Sequence, residues 1–273
     1  MKNIDQKQLL DNIYGLLSEF DRICRKYNLQ YFLYAGTLLG AVREKNFIPW
    51  DDDVDIIMPR KDYEKLDGII EKELDNRYVW DTMRKRAAFL NFLPSIKDKE
   101  SPYQIGESSD FLCSEYAGID IFIMDNAPQT KWGRIWWYIR LASFYGFGLA
   151  HRPVRKFMYP NNYSLFEYFV ARTLQIFGRF TKLENILKKQ KRYAEKYNRD
   201  GYHTNYIAIT SQGPSRVSPF YLPKTIFEST VEFKIRERNF LCPAGWHELL
   251  THMYGDYMTP PPEKERKNKH IPQ

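Results

Sequence analysis

Cysteine is scarce: Cys24, Cys113 and Cys242 are the only three in 273 residues. An odd number at wide spacing gives no disulfide framework and no zinc-ligand pair, and a reducing cytoplasm fits it best. Long apolar runs are missing too. No stretch of about 18 uncharged apolar residues is present, the least a membrane-spanning helix needs. Met1-Lys2-Asn3-Ile4-Asp5 runs into a polar amphipathic pattern rather than the apolar core of a signal peptide. His151, His203, His247 and His252 show no metal-ligand spacing, and no Ser-His-Asp or Cys-His arrangement is visible. There is no internal repeat; the one biased tract is Thr259-Pro260-Pro261-Pro262. What is present is a chain able to bury roughly three quarters of its unfolded surface. With 43% hydrophobic and 27% charged residues, global disorder is excluded. The length fits one domain, or one domain with a sizeable insertion.

Acidic residues are nearly absent from one block. Residues 131–199 hold fifteen lysines and arginines against Glu167, Glu184 and Glu195, a local charge of +12 in a chain whose total is +7. The remainder is therefore −5. Seven aromatic residues stand between Trp132 and Phe147. Bases and aromatics together point to an anionic surface, whether phospholipid, a polyphosphate polymer or nucleic acid. The competing reading is a solvated helical insertion whose aromatics pack on the main body.

Spacings of three and four put Leu9, Ile13, Leu16, Phe20, Ile23 and Tyr27 on one face of an opening helix. Residues 31–34 read as a buried strand, 37–43 as a short helix directly after it, 46–53 as a loop punctuated by Pro49, and 54–58 as a second strand. Pro59-Arg60 starts a helix carrying Tyr63, Leu66, Ile69 and Ile70. Further strands are predicted at 78–83, 92–97, 119–124 and 206–210. A hairpin is predicted over 226–235 and 239–242, and a last helix over 246–254 closed at Gly255. Strands and helices without regular βαβ alternation predict an α/β or α+β fold, a sheet with helices attached.

The most informative stretch is Trp50-Asp51-Asp52-Asp53-Val54-Asp55-Ile56. Four carboxylates within five positions repel one another unless a cation sits among them. Asp53 and Asp55 are two apart at the start of a strand, so alternation puts them on one face, with Val54 and Ile56 turned to the core. Such a pair suits a hard, oxygen-seeking ion such as Mg²⁺, or Mn²⁺. Asp51 and Asp53 are also two apart; the pair 53/55 is preferred because Ile56-Ile57-Met58 continue the strand. Asp120, a single charge within Ile119-Asp120-Ile121, is costly without a partner and is expected to face the same metal from the adjacent strand. Asp125 reads as a strand-end or turn residue. Three carboxylates on two strands with a metal make a phosphoryl-transfer centre; the competing reading is a solvated acidic loop.

Upstream, Gly36-Thr37 follows a strand and opens a helix, a place where phosphate is favoured. Arg43 and Lys97 are further candidates for phosphate contact, and Trp50 for a cation-accepting pocket. The competing readings are an ordinary helix cap, a solvated lysine and simple packing.

Residues 31–43 (Tyr-Phe-Leu-Tyr-Ala-Gly-Thr-Leu-Leu-Gly-Ala-Val-Arg), 48–56 and 59–63 closely resemble the LicD family, bacterial phosphocholine transferases related to the fukutin proteins. The tail Tyr254-Gly255-Asp256-Tyr257, followed by His270, resembles the end of the same family. The resemblance implies a nucleotidyltransferase-type mixed sheet with a Gly-Ser/Thr turn, an Asp-x-Asp pair and a third carboxylate. By position these are Gly36 and Thr37, Asp53 and Asp55, and Asp120. It further implies transfer of a phosphorylated alcohol, phosphocholine being the best-known case, from a CDP-activated donor to a sugar hydroxyl of a teichoic acid, capsule or lipopolysaccharide.

The expectation is thus one domain over 1–273, with 131–199 a basic aromatic helical insertion. It would be a Mg²⁺-dependent, cytoplasmic transferase using CDP-choline or a related CDP-alcohol. Asp53, Asp55 and Asp120 would be catalytic and metal-binding, and Gly36, Thr37, Arg43 and Lys97 would face the phosphates. The insertion would hold a lipid-linked or polymeric glycan at the inner membrane face, with no nucleic acid partner. Two other readings remain: a nucleotidyltransferase taking NMP from an NTP, and a non-catalytic membrane- or nucleic-acid-binding module.

Overall fold

The computed structural model describes residues 5–82, 92–102, 116–151, 165–212 and 221–266. Helix α1 (Gln6–Lys26) begins at Asp5, whose Oδ1 accepts the Gln8 N–H at 2.7 Å, satisfying one orphan donor of the first turn. Its buried stripe runs from Leu9 through Ile13, Leu16 and Phe20 to Ile23. β1 (Phe32–Leu33), α2 (Ala35–Arg43), β2 (Val54–Pro59) and α3 (Arg60–Glu73) follow, then β3 (Tyr78–Asp81), β4 (Ser95–Pro102) and the long β5 (Tyr116–Asn126). The basic block supplies α4 (Lys131–Gly148), α5 (Leu165–Gly178) and α6 (Leu183–Ala194). β6 (Tyr206–Ile209), β7 (Leu222–Pro223), the hairpin β8 (Thr230–Ile235) and β9 (Arg238–Pro243), and α7 (Trp246–Tyr254) complete the order.

Among the described residues, β5 organises a mixed sheet of seven strands. β2 lies parallel along one edge, with Val54 opposite Ile119 and Pro59 opposite Met124. β4 covers the first part of the other edge and β6 its end, both antiparallel. β1 and β3 flank β2 and β4, and β7 flanks β6. Val54, Ile56, Ile57, Ile119 and Ile121 are all fully buried, so the centre of the sheet is covered on both faces. α1 packs its stripe into the same core. The architecture is α+β, as the lack of βαβ regularity predicts.

Several boundaries differ from the sequence reading. β4 starts at Ser95 rather than Phe92 and runs on through Lys97-Asp98-Lys99-Glu100 to Pro102, with an irregular register after Lys97. Ile226 and Phe227 belong to a 3-10 turn, and the hairpin begins at Thr230. Asp125 takes the strand-end place that the sequence reading allows, as the last residue but one of β5. There it accepts both Arg60 Nε and Nη2 at 2.6 Å and Asn198 Nδ2 at 2.6 Å. Met83, Cys113 and His270 lie outside the described residues.

Candidate active site

The site forms where α2 starts against β2. Tyr34 donates its N–H to the Asp55 carbonyl at 3.0 Å, and the Asp55 N–H donates to Thr37 Oγ1 at 2.9 Å. Both backbone groups of Asp55 are thus fixed by the first turn of α2. Between them Ala35 takes φ +44°, a left-handed conformation that is costly for a residue with a Cβ and is held only by its surroundings. Thr37 is buried at 1% exposure, so its hydroxyl serves as an internal clamp.

The loop before β2 folds back over this turn. The Asp51 N–H donates to the Ile48 carbonyl at 2.9 Å, and Gln6 Nε2 donates to the Asp51 carbonyl at 2.6 Å. The Asp51 carboxylate then lies against Gly36: a Cβ there would stand 3.0 Å from Asp51 Oδ2. Carboxylate oxygens of Asp51, Asp52 and Asp53 come within 4.8 Å of one another. The structure therefore places Asp51 in the acidic group that sequence alone centres on Asp53 and Asp55.

Asp55 and Asp120 are register partners on the parallel strands β2 and β5, which sets their side chains side by side on one face. Lys97, on the neighbouring strand, places Nζ 3.0 Å from Asp120 Oδ1, and its side chain is only 9% exposed. Gly118 permits this approach. It is the register partner of Lys97, and a Cβ there would collide with the Ile96 carbonyl oxygen and stand 2.9 Å from Lys97 Cδ.

The electrostatics tie the group together. Burial pushes the Asp55 carboxyl well above the usual carboxylate range, and the charges of Asp53, Asp120 and Asp51 push it further, while the Lys97 ammonium acts in the opposite sense. Tyr254, at the end of α7, belongs to the same neighbourhood. Crowding around its hydroxyl, then the charge of Asp55, Tyr34 and the charges of Asp51 and Asp53, raise it above the ordinary phenol range, although its ring is 43% exposed. Sequence reasoning gives Tyr34 and Tyr254 no part in the site. They stand 220 residues apart, and only the fold brings them together.

The other candidates are placed differently. Arg43 is in the last turn of α2, where Nε meets Glu44 Oε1 at 2.7 Å and Nη1 donates to the Tyr257 carbonyl at 3.2 Å; it holds the C-terminal segment. Trp50 packs half-buried on the core, and the Arg266 guanidinium lies 5.5 Å above its ring. Trp50 thus accepts a cation, and that cation is the chain's own. Arg266 is itself steadied by a hydrogen bond from Nε to the Pro261 carbonyl at 2.8 Å.

Residues 28–138 match the family described as LicD/FKTN/FKRP, nucleotidyltransferase domain. The lipopolysaccharide cholinephosphotransferase LicD of Haemophilus influenzae is 29% identical over 259 residues, which is 94% of this chain and 92% of its own length. An uncharacterised protein of Rickettsia typhi is 23% identical over 75% of this chain and 54% of its own length. Another, from Rickettsia prowazekii, is 39% identical over 22% of each chain. The matched segment begins ahead of β1 and ends inside α4, so it contains Gly36, Thr37, Lys97 and every carboxylate of the site. Over residues 28–138 this chain is therefore similar to the nucleotidyltransferase domain of the LicD family.

Proposed function

We propose that this protein is a phosphotransferase that moves phosphocholine from CDP-choline to a sugar hydroxyl of a surface glycan. Lipopolysaccharide is the acceptor named for the Haemophilus relative, and capsule or teichoic acid would offer the same chemistry. The observation that carries the reading is the lateral pairing of Asp55 with Asp120 beside Asp51 and Asp53, within the segment that matches the LicD family.

The donor set is carboxylate oxygen throughout, which suits a hard divalent cation, Mg²⁺ or Mn²⁺. Asp53, Asp55 and Asp120 would hold it, with Asp51 beside them. When bound, such an ion neutralises the pyrophosphate oxygens of the donor. The first turn of α2 presents N–H groups to a phosphate at Gly36, and Thr37 acts by fixing Asp55. Lys97 orients Asp120 towards the acceptor. The acceptor hydroxyl attacks the phosphorus that bears choline, its proton passes to Asp120, the bond to CMP breaks, and CMP leaves. Exposed aromatic surface at Tyr254 and the ring of Trp50 offer faces for the trimethylammonium group; on Trp50 the ligand would compete with Arg266.

The family's description also supports a second reading, transfer of a nucleotide from an NTP with release of pyrophosphate. Thermal stability with Mg²⁺ separates the two, because a ligand that binds only the folded state raises the melting temperature. CDP-choline stabilising more than CDP-ribitol, CDP-glycerol, CTP and ATP supports phosphocholine transfer. Stabilisation by CTP or ATP alone supports the second reading.

A further inference from the structure

The helices that follow β5 carry a surface that the proposed reaction does not use. Along α4 the inner face is committed: Trp137 is 4% exposed and donates Nε1 to the Tyr193 carbonyl at 3.1 Å, and Phe144 is 5% exposed. The outer face is apolar as well. Trp132, Trp136 and Ile139, spaced four and three apart, are 72%, 67% and 49% exposed. The neighbouring helix α5 repeats the pattern: its Phe169, Ile176 and Phe177, and Phe180 just past its end, are all open to solvent. The two helices touch closely, since a Cβ on Gly146 of α4 would stand 2.6 Å from Leu174 of α5. Their exposed rings therefore lie on the outside of an already packed pair.

A helix apolar on every side is ordinarily buried in protein or in lipid. Here no helix among the described residues is long and apolar enough to cross a membrane, so lying in the interface is the geometry left for lipid. The charge agrees. From 126 to 183 the chain holds one acid, Glu167, against nine lysines and arginines, and Lys131, Arg140, Arg179 and Lys182 are exposed beside the aromatic rings. Exposed tryptophan and phenylalanine between lysines and arginines is the composition of an interfacial membrane anchor. A second copy of the chain fits less well, since it would bring a block of +12 against another of the same sign.

We propose that α4 and α5 form a docking face for an anionic lipid bilayer. Trp132, Trp136 and Ile139, with the exposed aromatics of α5, enter the boundary between headgroups and acyl chains, while the flanking bases meet lipid phosphates. That this docking presents a lipid-linked glycan to Asp120 rests on the transferase reading; the docking itself does not.

The test uses the full chain and vesicles of phosphatidylcholine, with or without about one third phosphatidylglycerol. The expected result is flotation with the anionic vesicles only, weakening as ionic strength rises, with a blue shift of tryptophan emission and quenching by brominated lipid. The double variant Trp132→Ser/Trp136→Ser should keep its melting temperature, lose the shift, and bind about tenfold or more weakly. Phe177→Ser/Phe180→Ser should weaken binding similarly. No flotation with anionic vesicles overturns the proposal. So does a dimer without lipid that both double variants dissolve, which would give the face to a second copy. Because no donor or acceptor is present, a failed transfer reaction leaves this result untouched.

Discussion

The N–H of Asp55 donates to the Thr37 side chain at 2.9 Å. This bond joins the first turn of α2 to the strand that carries the acidic pair, and it explains why a hydroxyl is needed at a position with 1% exposure. Thr37→Val keeps the shape and removes the acceptor, leaving a buried N–H without a partner. The expected loss is about 1–3 kcal/mol in denaturant unfolding, with transfer activity reduced beyond the folded fraction. Thr37→Ser should restore most of both.

Metal binding should depend on pH through Asp55. Its folded-state pKa is raised, by burial first and then by Asp53, Asp120 and Asp51, above an unfolded value of about 3.9. The folded protein thus binds this proton more tightly than the unfolded chain. That contribution is full below about pH 4 and is lost as pH rises through the raised value. Melting curves of the metal-free protein should accordingly fall over this range, and Asp55→Asn should flatten the fall. Mg²⁺ competes with the proton, so its stabilising shift should be larger at neutral pH than at about pH 5. An equal shift at both would remove Asp55 from the metal's neighbourhood.

Gly118→Ala should act at a distance. The added methyl group meets the Ile96 carbonyl and the Lys97 stem, so β4 must shift and the 3.0 Å pair between Lys97 and Asp120 loosens. Overpacking of this kind costs about 1–3 kcal/mol. Lys97→Met tests the pair without the clash: turnover should fall while the melting temperature changes little. If Lys97→Met turns over like the unaltered protein, Lys97 does not orient Asp120.

Arg60 and Asp125 form the contrasting case. Their ion pair is bidentate, and the Asp125 side chain is fully buried. Arg60→Met leaves that carboxylate buried without its cation, and a loss of about 3–5 kcal/mol is expected in denaturant unfolding. Activity per folded molecule should be unchanged, because Asp125 lies further along β5, near its end and away from Asp120.

Local pattern accounts for what could be read from sequence. Alternation in Val54-Asp55-Ile56 marks a strand with its acids on one face, and the boundaries of α7 follow from its apolar spacing and the closing Gly255, whose φ is +67°. Long-range relationships were not legible. Nothing near Lys97 announces that Asp120 is its partner 23 residues away, and nothing near Tyr254 announces Asp55. The strand predicted over 92–97 stops short at the charged residues that follow, yet Asp98 is buried in β4 by paired bonds from Arg77 at 2.7 and 2.6 Å. Asp125 reads correctly as a strand-end residue, but nothing in the local pattern announces its arginine partner, Arg60. Asp51 could be listed as an alternative to Asp53 or Asp55 by spacing, but only the fold shows it resting on Gly36.

The most direct test is release of CMP from CDP-choline with Mg²⁺ and a lipopolysaccharide acceptor, measured for the unaltered protein, Asp53→Asn and Asp120→Asn. The account predicts acceptor-dependent CMP release with matching transfer of choline phosphate, and a loss of about a hundredfold or more in both variants at unchanged melting temperature. Undiminished CMP release by either variant would contradict the central role given to these carboxylates.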